Sequence, residues 1–215
     1  MKANIEKKYF KGSYYPPGDK SISHRIIILG SQTVGKSVVS NLLEGEDVIN
    51  TIKVMKELGA NIKKIDNKFI IYGVPPGSLF QPKKKLNFGN SGTGIRLISG
   101  LVASNNISTI LTGDKSLNNR PMRRVTEHLI KIGSNIKLKK NVYPPINIKG
   151  IGNAIPLSFD IKIPSAQIKS ALILSSLNTN GLVKIKESCS TRDHTENMLK
   201  SMGYNIKVKH DKKFR

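Results

Sequence analysis

The sequence predicts an α/β domain: an inside-out α/β barrel of three βαβαββ units around a pseudo-threefold axis, helices inside and sheets outside. Three observations carry this expectation. First, MKELGANIK (55–63), LIKIGSNIK (129–137) and LKSMGYNIK (199–207) each read as a helix end, a glycine and a strand opening on Asn-Ile-Lys. A glycine just past a helix takes the left-handed conformation that closes it. Second, KSISHRIIIL (20–29), NSGTGIRLIS (90–99) and PSAQIKSALI (164–173) recur upstream in the same register. Ser21 to Ser165 and Gly59 to Gly203 both span 144 residues, so two independent landmarks keep one period. Third, the upstream helices are apolar on most faces, which marks them as buried, whereas the downstream helices carry charge on one side.

Within the first unit, YFKGSYY predicts a strand leading into PPGDK, and a helix follows from Ser21. The β-branched KSVVSNLL predicts the next strand. A helix is expected from about Asp47 to Leu58, then NIKKI, a turn at Asp66-Asn67, and KFIIYG as the second arm of a hairpin. The same order repeats twice, with about four extra residues near GDKSLNNRP in the second unit. Projected onto the third unit, the hairpin's second arm falls at HDKKFR, the last residues of the sequence, and is cut short. The expectation is an N-terminal part of a longer protein.

The stretch GSQTVGKS (30–37) satisfies G-x-x-x-x-G-K-[ST], the loop that cradles phosphates at the start of a helix. Repeat register contradicts that use. Gly30 aligns with helix bodies or ends in the other units, and Gly35-Lys36 with Asn105-Asn106 and Thr179-Asn180, which are turn residues before strands. The predicted connection therefore runs from a helix end to a strand, the reverse of the polarity that phosphate binding needs.

Composition narrows the classes. A chain of 215 residues has no apolar run of about 18, the length that reads as a membrane span. MKANIEKKYF lacks a hydrophobic signal segment and reads as cytoplasmic. One cysteine, Cys189, excludes an internal disulfide, and without a neighbouring His it reads as a buried or incidental thiol. The net charge of +22 is mostly scattered lysine, and the chain has no Trp and few aromatics on which bases could stack, so nucleic-acid binding is not favoured. His24, His128, His194 and His210 show no metal-ligand spacing. STRDHTE (190–196) is not a hydrolase triad, because adjacent residues point in different directions.

Only seven of the 36 basic residues are arginine, the side chain whose planar fork matches carboxylate and phosphate. Candidate anion sites lie where Ser21, Ser91 and Ser165 would cap the buried helices, each followed by a cation: Arg25, Arg96 and Lys169. Free backbone N–H groups, the helix dipole and a basic side chain together attract an anion. Arg120 precedes Pro121, Arg123 and Arg124 oppose the dipole of the helix they open, and Arg192 sits in a further helix start. These features describe a domain that binds a small, multiply charged anion.

PGDKSISHR (17–25), GNSGTGIRL (89–97), LTGDKSLNNRPM (111–122), PSAQIKSALIL (164–174) and STRDHTENML (190–199) together resemble the 5-enolpyruvylshikimate-3-phosphate synthases, a family of enolpyruvyl transferases. The resemblance runs from about residue 12 to 215. It implies an enolpyruvyl transferase-like fold of two three-repeat domains, with residues 1–12 as a strand packing against the C-terminal domain and units at about 13–80, 81–154 and 155–215. It implies transfer of the enolpyruvyl group from phosphoenolpyruvate to shikimate 3-phosphate without metal or organic cofactor, in a protein that is a monomer at full length. On that resemblance Lys20, Ser21 and Arg25 hold shikimate 3-phosphate, and Lys20 also reaches phosphoenolpyruvate as a shared, catalytic contact. Asn90, Gly92 and Arg120 line the phosphoenolpyruvate pocket. Ser165, Ala166, Gln167 and Arg192 complete the shikimate-phosphate site, with Gln167 facing both substrates. Ala166 stands where some members carry a second serine. The acidic proton-transfer residues belong to the C-terminal domain, so the isolated chain is expected to bind weakly and not to turn over. Rival readings are a UDP-amino-sugar enolpyruvyl transferase, which the first and last motifs fit poorly, and a non-catalytic anion- or nucleic-acid-binding domain.

Overall fold

The computed structural model describes residues 12–209, and its architecture starts from three apolar helices. These are α1 (Lys20–Gly30), α3 (Gly92–Ala103) and α5 (Ala166–Ser176). Each buries most of its length, because IIIL, LISGLVA and ALIL leave little face for water. The helices α2 (Glu46–Glu57), α4 (Arg123–Lys131) and α6 (His194–Ser201) alternate with them and keep charged residues on their open sides. Beyond α2, α4 and α6 lie Gly59, Gly133 and Gly203, at φ of 108°, 104° and 84°. That left-handed backbone suits glycine and closes each helix.

The described residues form three sheets. The strands β1 (Lys36–Ser40), β2 (Asn61–Ile65) and β3 (Lys68–Tyr72) form an antiparallel sheet in the order β1-β3-β2. The second sheet contains β4 (Leu86–Asn87), β5 (Ser108–Thr112), β6 (Asn135–Lys139) and β7 (Tyr143–Lys149), in the order β4-β5-β7-β6 with β4 parallel to β5. The third pairs β8 (Ser158–Ile161) with β9 (Lys184–Glu187) in parallel. Burial alternates along most strands, so one face of each sheet looks inward.

A main core gathers Ile27, Ile28, Leu97, Ile98 and Phe88, and a second gathers Val125, Leu129, Phe159 and Leu172. Each such side chain contributes roughly 1.5–3 kcal/mol on burial. The helices α3 and α5 pack backbone to backbone: a methyl group on Gly100 would lie 2.9 Å from the Cα of Ala171 and overlap its carbonyl. No helix of the described residues is long and apolar enough to cross a membrane.

The structure corrects three expectations. Residues 12–15 form no strand, and the rest of YFKGSYY, with nearly all of the expected leading strand, lies outside the described residues. Residues 205–207 also form no strand, unlike their counterparts at 61–63 and 135–137. A strand needs a hydrogen-bonded partner, and the residues expected to supply it, 210–215, are likewise outside the described range. Third, Cys189 is exposed, which removes the buried alternative and leaves the incidental one. The loop GSQTVGKS behaves as its register implied: α1 ends at Gly30 and β1 begins at Lys36.

Candidate anion site

The first turn of α1 sets the geometry. Asp19, not Ser21, is its N-cap: the Asp19 carboxylate accepts from the Ile22 amide at 2.8 Å. Both residue types cap well, so residue type does not separate Ser21 from Asp19 two positions earlier. With the cap supplied by Asp19, the Ser21 hydroxyl instead accepts from Arg192 Nη1 at 3.1 Å. Lys20 is exposed and pairs with Asp47 in the first turn of α2.

One turn further along, Arg25 is buried at 4% exposure. Its Nε donates to Thr195 Oγ1 at 2.8 Å, Nη1 to the Ser21 carbonyl at 3.0 Å and Nη2 to Ser170 Oγ at 2.7 Å. A guanidinium carries five N–H donors, so two have no protein partner among the described residues. Burial, and next the Arg192 guanidinium, lower the Arg25 pKa, with Glu196 and Asp19 opposing. Loss of the charge is still excluded at ordinary pH. One buried and one exposed guanidinium thus meet at Ser21 with few carboxylates in contact, a site that a phosphate dianion would complete.

A second cluster forms around the start of α3. Ser91 caps that helix, its hydroxyl accepting from the Gly94 amide at 3.0 Å. Arg120 donates to Asn90 through both the side-chain oxygen and, at 3.4 Å, the backbone carbonyl. Gly92 lies beneath two guanidinium groups: a Cβ there would sit 2.9 Å from Arg120 Nη1 and 3.0 Å from Arg96 Nη1. Arg96 ties three segments together, donating to the Gly92 carbonyl, to Gln167 Oε1 and to the Pro121 carbonyl at 3.0, 3.2 and 3.2 Å.

The start of α5 joins the clusters. Ser165 caps it, accepting from the Ile168 amide at 3.4 Å, and Ala166 is buried in its first turn. Gln167 Nε2 donates to Thr93 Oγ1 at 2.9 Å, while Ser170 reaches Arg25. The ten predicted site residues therefore form one continuous region in two lobes, Lys20, Ser21, Arg25 and Arg192 in one and Asn90, Gly92 and Arg120 in the other, with Ser165, Ala166 and Gln167 on the helix between them.

Lys169, expected as a third anion-facing cation, has a different role. It is 7% exposed and ion-paired to Glu187 and Glu196, both at 2.8 Å. Burial alone would lower its pKa, but its hydrogen bonds to the two carboxylates more than offset this and raise it. Arg123 pairs with Glu127 at 2.5 Å, and Arg124 donates to the Ile163 carbonyl at 2.8 Å. Thr93, Ser170 and Thr195 were missed by sequence reasoning. Their signal is tertiary: Ser170 and Thr195 meet the Arg25 guanidinium 145 and 170 residues away in sequence, and Thr93 meets the Gln167 amide 74 residues away.

Comparison with known proteins gives a consistent result. The profile of EPSP synthase (3-phosphoshikimate 1-carboxyvinyltransferase) matches residues 6–215. A 3-phosphoshikimate 1-carboxyvinyltransferase of Parvibaculum lavamentivorans is 43% identical over 92% of this chain and 44% of its own length. One from Zymomonas mobilis is 45% identical with the same coverage. The solved EPSP synthase of Acinetobacter baumannii superposes with a TM-score of 0.89 at 37% identity, covering 93% of this chain and 45% of that one. The chain thus spans a little under half the length of these relatives. By sequence along nearly all its length and by fold, the chain belongs to the EPSP synthase family.

Proposed function

We propose that this chain supplies the shikimate 3-phosphate seat and part of the phosphoenolpyruvate seat of a 3-phosphoshikimate 1-carboxyvinyltransferase. The observation that carries the reading is the convergence of Ser21, buried Arg25 and Arg192, with two Arg25 donors left for a ligand. The phosphate of shikimate 3-phosphate sits there, and Lys20 leaves Asp47 to face the incoming phosphoenolpyruvate. Asn90, Gly92 and Arg120 receive the phosphoenolpyruvate anion, and Gln167 spans the two seats. Cations and helix N-termini offset the repulsion between two polyanions and hold them in reacting geometry.

In the reaction, the shikimate hydroxyl gives up its proton and adds to the enol carbon while the adjacent methylene takes a proton and becomes a methyl group. The methyl group of the tetrahedral intermediate then loses a proton as the carbon–oxygen bond to phosphate breaks, leaving the enolpyruvyl ether, and the hydroxyl's proton departs with the inorganic phosphate. The proton-transfer carboxylates belong to a second domain. No metal or organic cofactor takes part, and the full-length protein works as a cytoplasmic monomer. The three units, at about 13–80, 81–154 and 155–215, surround a pseudo-threefold axis and turn their buried helix starts toward the shared cleft.

Thermal unfolding of the chain with shikimate 3-phosphate tests this reading. A rise in midpoint that saturates with ligand and is lost in Arg25→Ala is expected. No rise with the ester, together with tight, steeply salt-dependent binding of DNA or RNA, would replace it with the nucleic-acid reading.

A further inference from the structure

Lys169 is one of the most buried cations of the described residues, yet it touches no residue of the anion seat directly. It bridges β9, through Glu187, to α6, through Glu196, and its ammonium also reaches the Thr191 carbonyl at 3.4 Å. Those partners flank the segment that carries Arg192, and Thr195 is the neighbour of Glu196. Thr195 and Ser170, the latter one residue beyond Lys169, are the two hydroxyls that hold Arg25. Ser170 donates to the Ala166 carbonyl at 2.7 Å, which leaves Thr195 to donate to Ser170 across 2.8 Å. Both oxygens thereby present lone pairs to the guanidinium. Two cations, Arg25 and Lys169, and two carboxylates, Glu187 and Glu196, form a buried group of zero net charge, in which Glu196 also acts on Arg25 through space. One oxygen of Glu196 is buried without a hydrogen-bond partner, so its orientation rests on Lys169.

We propose that Lys169 is a positioning residue for the anion seat: by clamping β9 to α6 it fixes Thr195 and Arg192, and through Thr195 it aims Arg25 at the phosphate. Identification of the ligand rests on the function proposed above, whereas the clamp is tested with inorganic phosphate alone. The chain is labelled with ¹⁵N-arginine, and the Nε–H signal of Arg25 is followed during phosphate titration. In the wild type this signal is expected at a shifted position, set by the Thr195 bond, and to respond to phosphate.

Lys169→Met leaves the buried group with a net charge of about −1, so it is compared with Lys169→Met/Glu187→Gln, which restores zero net charge and with it the fold. In the folded double variant the Arg25 signal is expected to move toward that of a free guanidinium, and phosphate affinity to fall about tenfold. Introducing the double variant into an Arg25→Lys background is expected to cost little more, because the clamp acts through Arg25. Recovery of both signal and affinity in the double variant would overturn the clamp, leaving Lys169 a charge balancer of the fold. So would a wild-type Arg25 signal that ignores phosphate. If phosphate binds as described but shikimate 3-phosphate binds no tighter, the proposed substrate fails while the role of Lys169 stands.

Discussion

The function proposed here rests on the burial of Arg25 as well as on its charge. Water competes little at 4% exposure, and three protein acceptors fix the plane of the guanidinium. Lysine keeps the charge but loses the fork, so Arg25→Lys is expected to weaken shikimate 3-phosphate binding about 10- to 100-fold by calorimetry, from roughly 1.5–3 kcal/mol per charged hydrogen bond. Gly92→Ala places a methyl group against Arg120 and Arg96, and phosphoenolpyruvate affinity is expected to fall while shikimate 3-phosphate affinity stays near wild type.

His24 makes a pH prediction. It is fully buried, its Nδ1 is hydrogen-bonded with Thr51 Oγ1 at 2.9 Å, and its Nε2 is unpartnered among the described residues. Burial pulls its pKa down to about 4; the Asp47 carboxylate opposes this, and Lys20 and Arg25 add to it. The unfolded chain takes up this proton near pH 6.5 and the folded one near 4, so protonation between those values favours unfolding. Stability is expected to fall by about 3 kcal/mol from this group as pH drops from 7 to 4. Urea midpoints of His24→Gln should show a shallower slope over pH 7 to 5, and an unchanged slope would contradict the assignment. Residue identity gave away Arg25 and Arg192, because arginine is scarce in this lysine-rich chain. It misled at Lys169, whose partners Glu187 and Glu196 meet it only after folding.

At the scale of elements, the site depends on how closely α3 and α5 approach. Gly100 lets the backbones touch, and that contact puts Gln167 within 2.9 Å of Thr93 and 3.2 Å of Arg96. Gly100→Ala is expected to force the helices apart, costing about 1–3 kcal/mol in denaturant unfolding and breaking the Gln167 bonds that join the two lobes. A wild-type unfolding midpoint would show that the helices part without strain. The sequence periods made α1 to α6 and the first two hairpins legible, because apolar spacing and C-terminal glycines are local signals. The third Asn-Ile-Lys segment was misread for the same reason: its local signal matches the other two, but strand formation depends on a partner. The N-cap of α1 was placed two residues late because Asp19 and Ser21 are equally good caps.

For the molecule as a whole, the fold sets helix starts from separate units beside one another, and charge follows them. Lys20, Arg25, Arg96, Arg120 and Arg192 gather there, while among the described residues Asp47 is the acidic side chain ion-paired with one of them. On the function proposed here, such a half-site binds anions but holds no proton-transfer carboxylate for the reaction. Incubation of the 215-residue chain with both substrates is therefore expected to release no phosphate above background. Steady release would place the catalytic groups within this chain. The repeat register made this organisation legible in the sequence and removed GSQTVGKS as a phosphate site. The pairing of Lys20 with Asp47 was not legible, because both lie at helix starts brought together only by packing of α1 on α2.

The most direct measurement is a crystal structure of the chain soaked with shikimate 3-phosphate. The account predicts the phosphate group within hydrogen-bond distance of the Ser21 hydroxyl, Arg25 and Arg192, with Lys169 still clamped between Glu187 and Glu196. A phosphate seated instead on scattered surface lysines, or on the GSQTVGKS loop, would contradict it.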